Sequence, residues 1–417
     1  MHKQVVYNCG GTSTLTLIAW LQTCARFGEH APKWQALATP TGANSTGQTV
    51  KQSWMENGLS TLTPNGYGTN IPDPRNDWLT LGFDQLATNG TTAIKTYNYN
   101  SNSFDPIANT GIPLYNKNGY FLFVRGDRSL VNFLDLPNPT NLRSKGALFQ
   151  PHSGYTPPSV NIAGNGKFEL IGNPYASAID IAYMRTHGNF SNLTDHVIVW
   201  DPLIPGTQGL GGYQVLSAPN YTPTPGGTLG NTHYVTGVSY PEIQSGQAFF
   251  MQTSGSSTGT VTFDEGIKSV NSRVVTRGIN ATRYKSFKAN LFSKTGICDG
   301  NAIFYDSMFS NDIDSDDAGR PFNPGENFMI RKNYNRLLTI ESRANIKQVD
   351  SVFYAFKNLH KTKYRLVFAV ENLAGEGLNA TLIDNYLNKK TIISLTDSSF
   401  IDFNVMIIKI RMKIGLL

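Results

Sequence analysis

The chain has 417 residues, enough for two or three domains that each bury a core of their own. Only 15% of the residues are charged, and strand-and-turn surfaces rich in Thr, Ser, Asn and Tyr fit such a composition better than exposed helices do. The formal charge of +6 is concentrated in Lys409, Arg411 and Lys413 and in the stretch 331–365, where acidic and apolar residues interrupt it. No nucleic-acid motif accompanies this charge, so we expect no nucleic-acid partner.

The cysteines and the apolar runs exclude further classes of protein. Cys9, Cys24 and Cys298 are odd in number and have no metal-ligand spacing, so we expect neither a disulfide framework nor a zinc site. No run of about 18 apolar residues is present, and we therefore predict no transmembrane segment. Residues 1–26 lack the clean apolar core of a signal peptide and form an atypical N-terminal segment.

Short aromatic and β-branched runs recur along the first two thirds of the chain, separated by segments rich in Gly, Pro, Asn and Thr. They lie at 34–38, 93–97, 120–124, 168–171, 197–200, 248–252 and 260–263. Helical spacing occurs only in two short stretches, 48–58 and 177–186. The pattern predicts a β-rich domain of the sandwich or barrel type over residues 27–275.

A second series of alternating segments begins after a basic and polar stretch at 268–285. Its strand-like runs lie at 286–292, 302–305, 337–341, 351–356, 364–370, 380–384 and 391–395. Seven strands at this spacing predict a β-sandwich over residues 276–405, followed by a basic, apolar tail at 406–417. The predicted fold class is all-β, with two β-sandwich-like domains and short helical insertions.

Six segments occur here in an order that resembles a known family: 33–40, 48–54, 119–128, 171–175, 246–250 and 311–318. They are similar to the C-terminal region of large Bacteroidota surface proteins that are exported by the type IX secretion system. The resemblance covers about residues 27–404. It implies a β-sandwich stalk in front of a C-terminal sorting domain, on the outside of a Gram-negative cell.

The two ends of the chain depart from that family. No sorting domain follows Phe403, and neither 1–26 nor 406–417 is similar to the family sequence. We interpret both ends as out-of-frame or truncated read-through, in a fragment that this route would not export. The tail has two further interpretations: a basic amphipathic segment at a membrane surface, or an apolar strand that has no assigned partner.

The densest group of carboxylates is Asp312, Asp314, Asp316 and Asp317. Alternating aspartates on a loop supply the hard oxygen ligands that Ca²⁺ prefers, which makes these four residues a candidate calcium site. The spacing is not that of an EF-hand, because Asp317 stands where the turn requires Gly. The alternative is a solvated acidic turn.

Three other motifs have both a functional and a structural interpretation. Arg125-Gly126-Asp127 is an integrin-type tripeptide or a turn that follows a strand. The segment 172–175 (Gly-Asn-Pro-Tyr) is expected to form a turn. Four tryptophans could stack on sugars or pack in a core: Trp34, Trp54, Trp78 and Trp200.

Enzyme motifs are nearly absent from the sequence. The seven histidines are scattered, and only Glu242 and Glu265 could be paired as glycosidase carboxylates. We therefore predict no catalytic and no cofactor-binding residues, and a non-catalytic structural or adhesive stalk of a secreted or cell-surface protein. Its expected partners are surface polysaccharide or other surface proteins. The alternative is a carbohydrate-binding accessory region of a secreted glycan-degrading enzyme.

Overall fold

The computed structural model describes most of the chain. The described residues are 13–17, 33–41, 48–58, 66–85, 91–129, 140–146, 148–149, 156–206, 210–228, 232–269, 285–332, 336–346, 350–375, 377–384, 387–405 and 412–416. Within these residues the regular structure consists of thirty strands, one six-residue α-helix and two 3₁₀ turns. The predicted all-β fold class is confirmed.

Nineteen strands and the helix precede residue 270. They are β1 (Ser13–Leu17), β2 (Lys33–Leu37), β3 (Pro72–Asp73), β4 (Asp84–Gln85), β5 (Ile94–Asn98), β6 (Ser103–Pro106), β7 (Tyr120–Val124), β8 (Leu142–Gly146), β9 (Ser159–Ile162), β10 (Phe168–Gly172), β11 (Ala178–Asp180), α1 (Ile181–Thr186), β12 (Phe190–Ser191), β13 (His196–Asp201), β14 (Gly212–Ser217), β15 (Thr222–Thr224), β16 (Glu242–Ile243), β17 (Ala248–Gln252), β18 (Gly259–Thr262) and β19 (Lys268–Ser269). The 3₁₀ turns are Glu56–Gly58 and Glu265–Ile267.

Eleven strands follow residue 284. They are β20 (Lys285–Ser293), β21 (Gly296–Tyr305), β22 (Asn327–Lys332), β23 (Arg336–Leu338), β24 (Ile340–Arg343), β25 (Asp350–Lys357), β26 (Lys363–Glu371), β27 (Ala380–Asp384), β28 (Lys389–Ile393), β29 (Ser399–Asn404) and β30 (Met412–Leu416). We call residues 33–269 the first β region and residues 285–416 the second β region.

Two sheets of the first β region pack face to face. One has the order β2-β7-β5-β6 and the other β10-β17-β13-β14-β15. Because side chains alternate across a strand, each sheet has two faces, and both faces of both sheets are apolar here. An aromatic cluster that includes Trp34, Phe121 and Phe250 fills the space between the two sheets. Separate cores cover their outer faces.

The second β region is a sandwich that encloses one core. Its sheets have the orders β24-β21-β20-β26-β29 and β23-β22-β25-β30-β27-β28. All neighbouring strands are antiparallel except β21 and β24. β23 and β24 are separated only by Thr339 yet belong to different sheets, so this bent segment joins the two sheets along one side.

The prediction of seven strands over residues 276–405 is wrong, because this range contains ten described strands, β20 to β29. The seven predicted runs all lie on or overlap strands. β22 escaped prediction because its apolar run, Phe328–Ile330, is only three residues long and follows a loop rich in Pro, Gly and Asn. β29 escaped because its apolar residues do not alternate cleanly with polar ones.

The C-terminal tail also differs from its prediction. Residues 412–416 form β30, which pairs with β25 on one side and with β27 on the other, so this strand does have partners. Residues 406–411 and 417 lie outside the described residues. Segment 48–58 forms turns and a 3₁₀ turn instead of a helix, whereas 177–186 divides into β11 and α1.

The predicted domain boundary near residue 276 falls in 270–284, outside the described residues. None of the described strands before it pairs with a described strand after it. The two β regions nevertheless touch along an extended junction, which contains the predicted acidic site.

Candidate functional site at the junction of the two β regions

The acidic loop, residues 306–317, connects β21 to the segment that precedes β22. Its aspartates organise its own turns: Asp306 Oδ1 accepts the Met308 N–H at 3.1 Å, and Asp314 Oδ1 accepts the Asp316 N–H at 2.9 Å. The backbone N–H of Asp317 also donates to the Asp314 carbonyl at 3.3 Å. Such side-chain-to-backbone bonds are the usual reason for aspartate in a tight loop.

The four candidate ligands have different surroundings. Asp312 is exposed, whereas Asp317 is only 3% exposed and its Oδ1 accepts the Ser342 N–H at 2.8 Å. Burial raises the pKa of Asp317 to about 6, and Oδ2 has no hydrogen-bond partner among the described residues. The pKa of Asp316 is also raised, by burial first and then by Asp314 and Asp195.

This arrangement gives the calcium hypothesis no preformed ligand set. Within the described ranges, which include the whole acidic loop, no three His, Cys, Asp or Glu side chains are grouped so that they could hold a metal ion. The carboxylates of Asp312, Asp314, Asp316 and Asp317 do not converge on one point. The calcium site therefore stays a prediction from ligand type alone.

The acidic loop does connect the two β regions. The carbonyl of Asp316 accepts hydrogen bonds from His196 Nε2 at 3.1 Å and from Ser342 Oγ at 2.8 Å. His196 begins β13 in the first β region and is 5% exposed. A carbonyl can only accept, so Nε2 of His196 carries a proton. Burial lowers the pKa of His196 to about 4, which keeps it neutral at pH 7.

A second polar connection joins β14 to the loop before β22. Asn323, 3% exposed, accepts the Tyr213 N–H through Oδ1 at 2.9 Å and donates through Nδ2 to the Glu326 carbonyl at 3.2 Å. Asn327 Oδ1 in turn accepts the Asn323 N–H at 2.7 Å. One buried amide thus fixes a strand of the first β region against a loop of the second.

Residue 206 provides a third connection. The Gly206 N–H donates to the Ile297 carbonyl at 3.2 Å, and the Gly206 carbonyl accepts from the Thr295 hydroxyl. Beside it, Leu210, Cys298 and Glu326 help to line a cleft with a volume of about 10 Å³, the size of one water molecule. Tyr364 donates its hydroxyl to Glu326 Oε1 at 2.9 Å. This cleft is too small for a substrate.

A fully buried ion pair stiffens the loop that carries Asn323. Arg320 and Asp299 have no exposed side-chain area, and the guanidinium of Arg320 donates to Asp299 Oδ2. Asp299 also accepts the Phe328 N–H at 2.6 Å and the Gly300 N–H at 2.8 Å. A buried pair of this kind holds a geometry because loss of either partner leaves an uncompensated charge.

The apolar part of the junction is continuous with the core of the first β region. Ala318 and Ile340 of the second β region belong to the same cluster as Trp34, Trp200 and Tyr213. Ala318 and Ile340 are each 1% exposed. The junction therefore combines buried apolar contacts with buried hydrogen bonds, as a domain core does.

The tripeptide at 125–127 lies in a turn and does not present its carboxylate. Asp127 is 2% exposed, and its oxygens accept the Gly66 N–H at 2.6 Å and the Ser129 N–H at 3.1 Å. Gly126 has φ +91, in the region that favours glycine. The structural interpretation of this motif is correct. The carboxylate of Asp127, which an integrin-type partner would have to bind, already accepts hydrogen bonds within the chain.

Three of the four tryptophans are buried: Trp34 at 8%, Trp54 at 1% and Trp200 at 5% exposed. Trp78 is half-buried and packs against the core beneath the four-stranded sheet. Trp34, Trp54 and Trp200 therefore do not offer the open flat face that stacking on a sugar requires.

The segment 172–175 is held in place by a buried asparagine side chain. Asn173 is fully buried, and its Nδ2 donates to the carbonyls of Ser177, Ile243 and Gln244 at 2.9 to 3.1 Å. Its Oδ1 accepts the Tyr175 N–H at 3.0 Å. A Cβ on Gly172 would lie 2.7 Å from the Asn118 carbonyl oxygen, so only glycine fits there.

Sequence reasoning missed a buried aspartate–histidine contact. Asp201 is fully buried at the end of β13 and accepts from His233 Nδ1 at 3.0 Å and from the His233 N–H at 3.1 Å. Burial acts to raise the pKa of Asp201, but the bonds from His233 and Thr232 lower it below its ordinary value. The contact holds the segment between β15 and β16 against the end of β13, and no local spacing in the sequence indicates it.

The proposed glycosidase carboxylates have ordinary structural surroundings. Glu265 is half exposed and forms an ion pair with Lys268 in the 3₁₀ turn. Glu242 lies in β16 and pairs in register with Asp180.

These features define an all-β protein whose two β regions are joined by a buried polar and apolar junction. The chain belongs to the family described as domain of unknown function DUF8693, whose model matches residues 82–406, well over half of the chain. No curated protein and no solved structure matches the chain. Among the described residues, no helix has the length and apolar character needed to cross a membrane.

Proposed function

We propose that the chain is a non-catalytic structural or adhesive stalk region of a bacterial cell-surface or secreted protein. The observation that carries the proposal is the junction between the two β regions. A stalk must keep successive units in a constant orientation, and buried contacts do this better than a flexible linker.

The composition of the junction supports that role. Its polar atoms are largely satisfied by partners in the other β region: His196 by Asp316, Tyr213 by Asn323, and Gly206 by Ile297. Separating the β regions would expose these groups together with Ala318 and Ile340. Each hydrogen bond is worth only about 1 kcal/mol net, but a buried group left without its partner costs about 1–3 kcal/mol.

Two features of the sequence support a place outside the cell. The low content of charged residues is typical of exported β proteins, and six segments resemble type IX secretion cargo of Bacteroidota in the same order. Export by that system, attachment at the surface, and contact with surface polysaccharide or other surface proteins are parts of the same proposal.

Calorimetry of the full chain tests the junction. We expect one cooperative transition, because the two β regions stabilise each other, and Asn323→Ala should divide it into two or lower its midpoint by several degrees. Asn161→Ala, on the exposed side of β9, is the matched control and should leave the trace unchanged. Two transitions in the parent chain that Asn323→Ala does not shift would contradict a rigid stalk.

The cellular location is tested separately. Antibodies against the second β region should label intact cells of the source bacterium. Labelling that appears only after lysis would contradict the surface proposal, while tight binding to a polysaccharide would favour the carbohydrate-binding alternative.

A further inference from the structure

The six-stranded sheet of the second β region contains a position that only its last strand fills. β25 and β27 do not pair with each other, and β30 lies between them. β30 is antiparallel to both, through five register pairs on each side, from Asp350 and Ala380 opposite Leu416 to Tyr354 and Asp384 opposite Met412. β25 and β27 therefore run parallel to each other, and the width of one strand separates them.

The edges on either side of β30 belong to well-packed strands. Val352 and Tyr354 of β25, and Ala380 and Leu382 of β27, are buried members of the core. The outer neighbours of these strands, β22 and β28, are in place through their own pairings. Without β30, two facing rows of backbone N–H and C=O groups would lie above the core with no partners, which is a costly state for buried peptide groups.

We infer that the gap between β25 and β27, here called the strand slot, is a binding site for one extended peptide strand. In the folded chain the occupant is residues 412–416. The site recognises its ligand mainly through backbone hydrogen bonds on both edges, which is the chemistry of β-strand addition. The sandwich is consequently complete only when this last segment has entered the strand slot.

The position of β30 in the sheet could not be predicted from the local sequence. β30 is separated from β25 by about 55 residues of chain that include four other strands, so its pairing is a long-range contact that no local pattern predicts. Loop closure of that length costs entropy before the strand pairs form, and β30 is expected to enter late.

Proline at position 414 tests the inference in the full chain. Residue 414 stands opposite Val352 and Leu382 in register, and proline removes its N–H and cannot occupy a central strand. Ile414→Pro should lower the melting temperature by at least several degrees. Leu417→Pro, one residue beyond β30, is the matched control and should leave it unchanged. Equal stability of the Ile414→Pro variant and the parent chain would overturn the inference.

A synthetic peptide of residues 406–417 tests whether the strand slot is a binding site. It should bind the Ile414→Pro variant and restore most of the lost melting temperature, and it should not bind the parent chain, whose slot is filled. A peptide that carries the same proline is the control. Failure to bind the variant, or equal binding to the parent chain, would overturn the inference.

If the Ile414→Pro variant folds poorly, two further measurements test whether the strand slot is a binding site. Refolding the variant from denaturant with the parent peptide should increase the soluble yield, whereas the proline peptide should not; equal yields would count against the site. Hydrogen exchange of the parent chain should show slow exchange in 412–416 together with β25 and β27. Immediate exchange of 412–416 beside protected neighbours would overturn the inference.

Discussion

Asn173 illustrates how much of this fold depends on single buried polar side chains. Its amide nitrogen donates to three carbonyls from two turns, 177 and 243–244, which are distant in the sequence. Its side-chain oxygen accepts the Tyr175 N–H, and its backbone N–H donates to the Gln247 carbonyl at 3.0 Å. The side chain therefore aligns the end of β10 with the segment before β17. The neighbouring Gly172 permits the close approach of the Asn118 carbonyl, and Pro174 shapes the local turn.

Asn173→Ala should destabilise the first β region by about 2–3 kcal/mol, because several buried carbonyls lose their donor. Asn173→Asp should cost at least as much, since a carboxylate would face those same carbonyls. Urea denaturation followed by tryptophan fluorescence measures both. Asn161→Ala, at an exposed position, should change the free energy of unfolding by no more than about 0.5 kcal/mol. A loss that small at Asn173 would contradict its assigned role.

The sequence of the acidic loop is compatible with two roles for its aspartates, one in forming turns and one in binding a ligand. Asp306 and Asp314 accept backbone N–H groups within the loop, and Asp317 accepts one from Ser342. These bonds account for Asp306, Asp314 and Asp317 without a metal. A bound cation would have to draw side chains away from some of them.

If the acidic loop binds calcium, as the sequence predicts, millimolar calcium should raise the melting temperature of the full chain by several degrees, and EDTA should reverse it. Asp314→Asn combined with Asp316→Asn should abolish the rise. Asp397→Asn, in an exposed turn before β29, is the control. A melting temperature that does not respond to calcium would eliminate the site and leave the aspartates as turn formers.

At the scale of the whole molecule, the junction contains a buried histidine whose protonation would disturb the contact between the two β regions. His196 lies between the two β regions with its Nδ1 unpaired among the described residues, so protonation would place a charge in a buried contact. Asp195 acts to raise the pKa of His196 and Arg185 acts to lower it, but burial is the largest cause.

The sign of the effect follows from the lowered pKa of His196, about 4 in the folded chain against an ordinary value of 6.5. The unfolded chain binds more protons between these values, so the stability from His196 is complete above pH 6.5 and is lost as the pH falls toward 4. The full effect is on the order of 3 kcal/mol. Asp317 opposes it, because its raised pKa of about 6 gives a contribution that is present below 3.8 and lost as the pH rises through 6.

Urea denaturation between pH 4 and 8 can separate the two groups. His196→Gln keeps a donor for the Asp316 carbonyl and does not titrate, so stability should fall less on acidification than in the parent chain. Asp317→Asn should steepen the fall, because the opposing group is removed. Parallel curves for His196→Gln and the parent chain would show that His196 does not control the pH dependence.

Local composition was sufficient to predict the fold class and some of the strands, but it missed others such as β22 and β29. The runs at 120–124 and 248–252 coincide with β7 and β17, because aromatic and β-branched residues bounded by turn formers favour extended backbone wherever they lie. The turn at Arg125–Asp127 was predictable for the same reason. The helix predicted at 48–58 is absent from the described residues, because Lys51 and Val50 bond to the segment 110–112 instead.

Only the tertiary structure decided which strands pair and which polar groups meet. His196 and Asp316 are 120 positions apart, Tyr213 and Asn323 are 110 apart, and β30 enters between strands that precede it by tens of residues. The alternation along a strand determines which face is apolar, but it does not specify the register or the neighbour of that strand. Those choices depend on closing long loops and on satisfying every buried donor and acceptor together, and such constraints exist only in the folded chain.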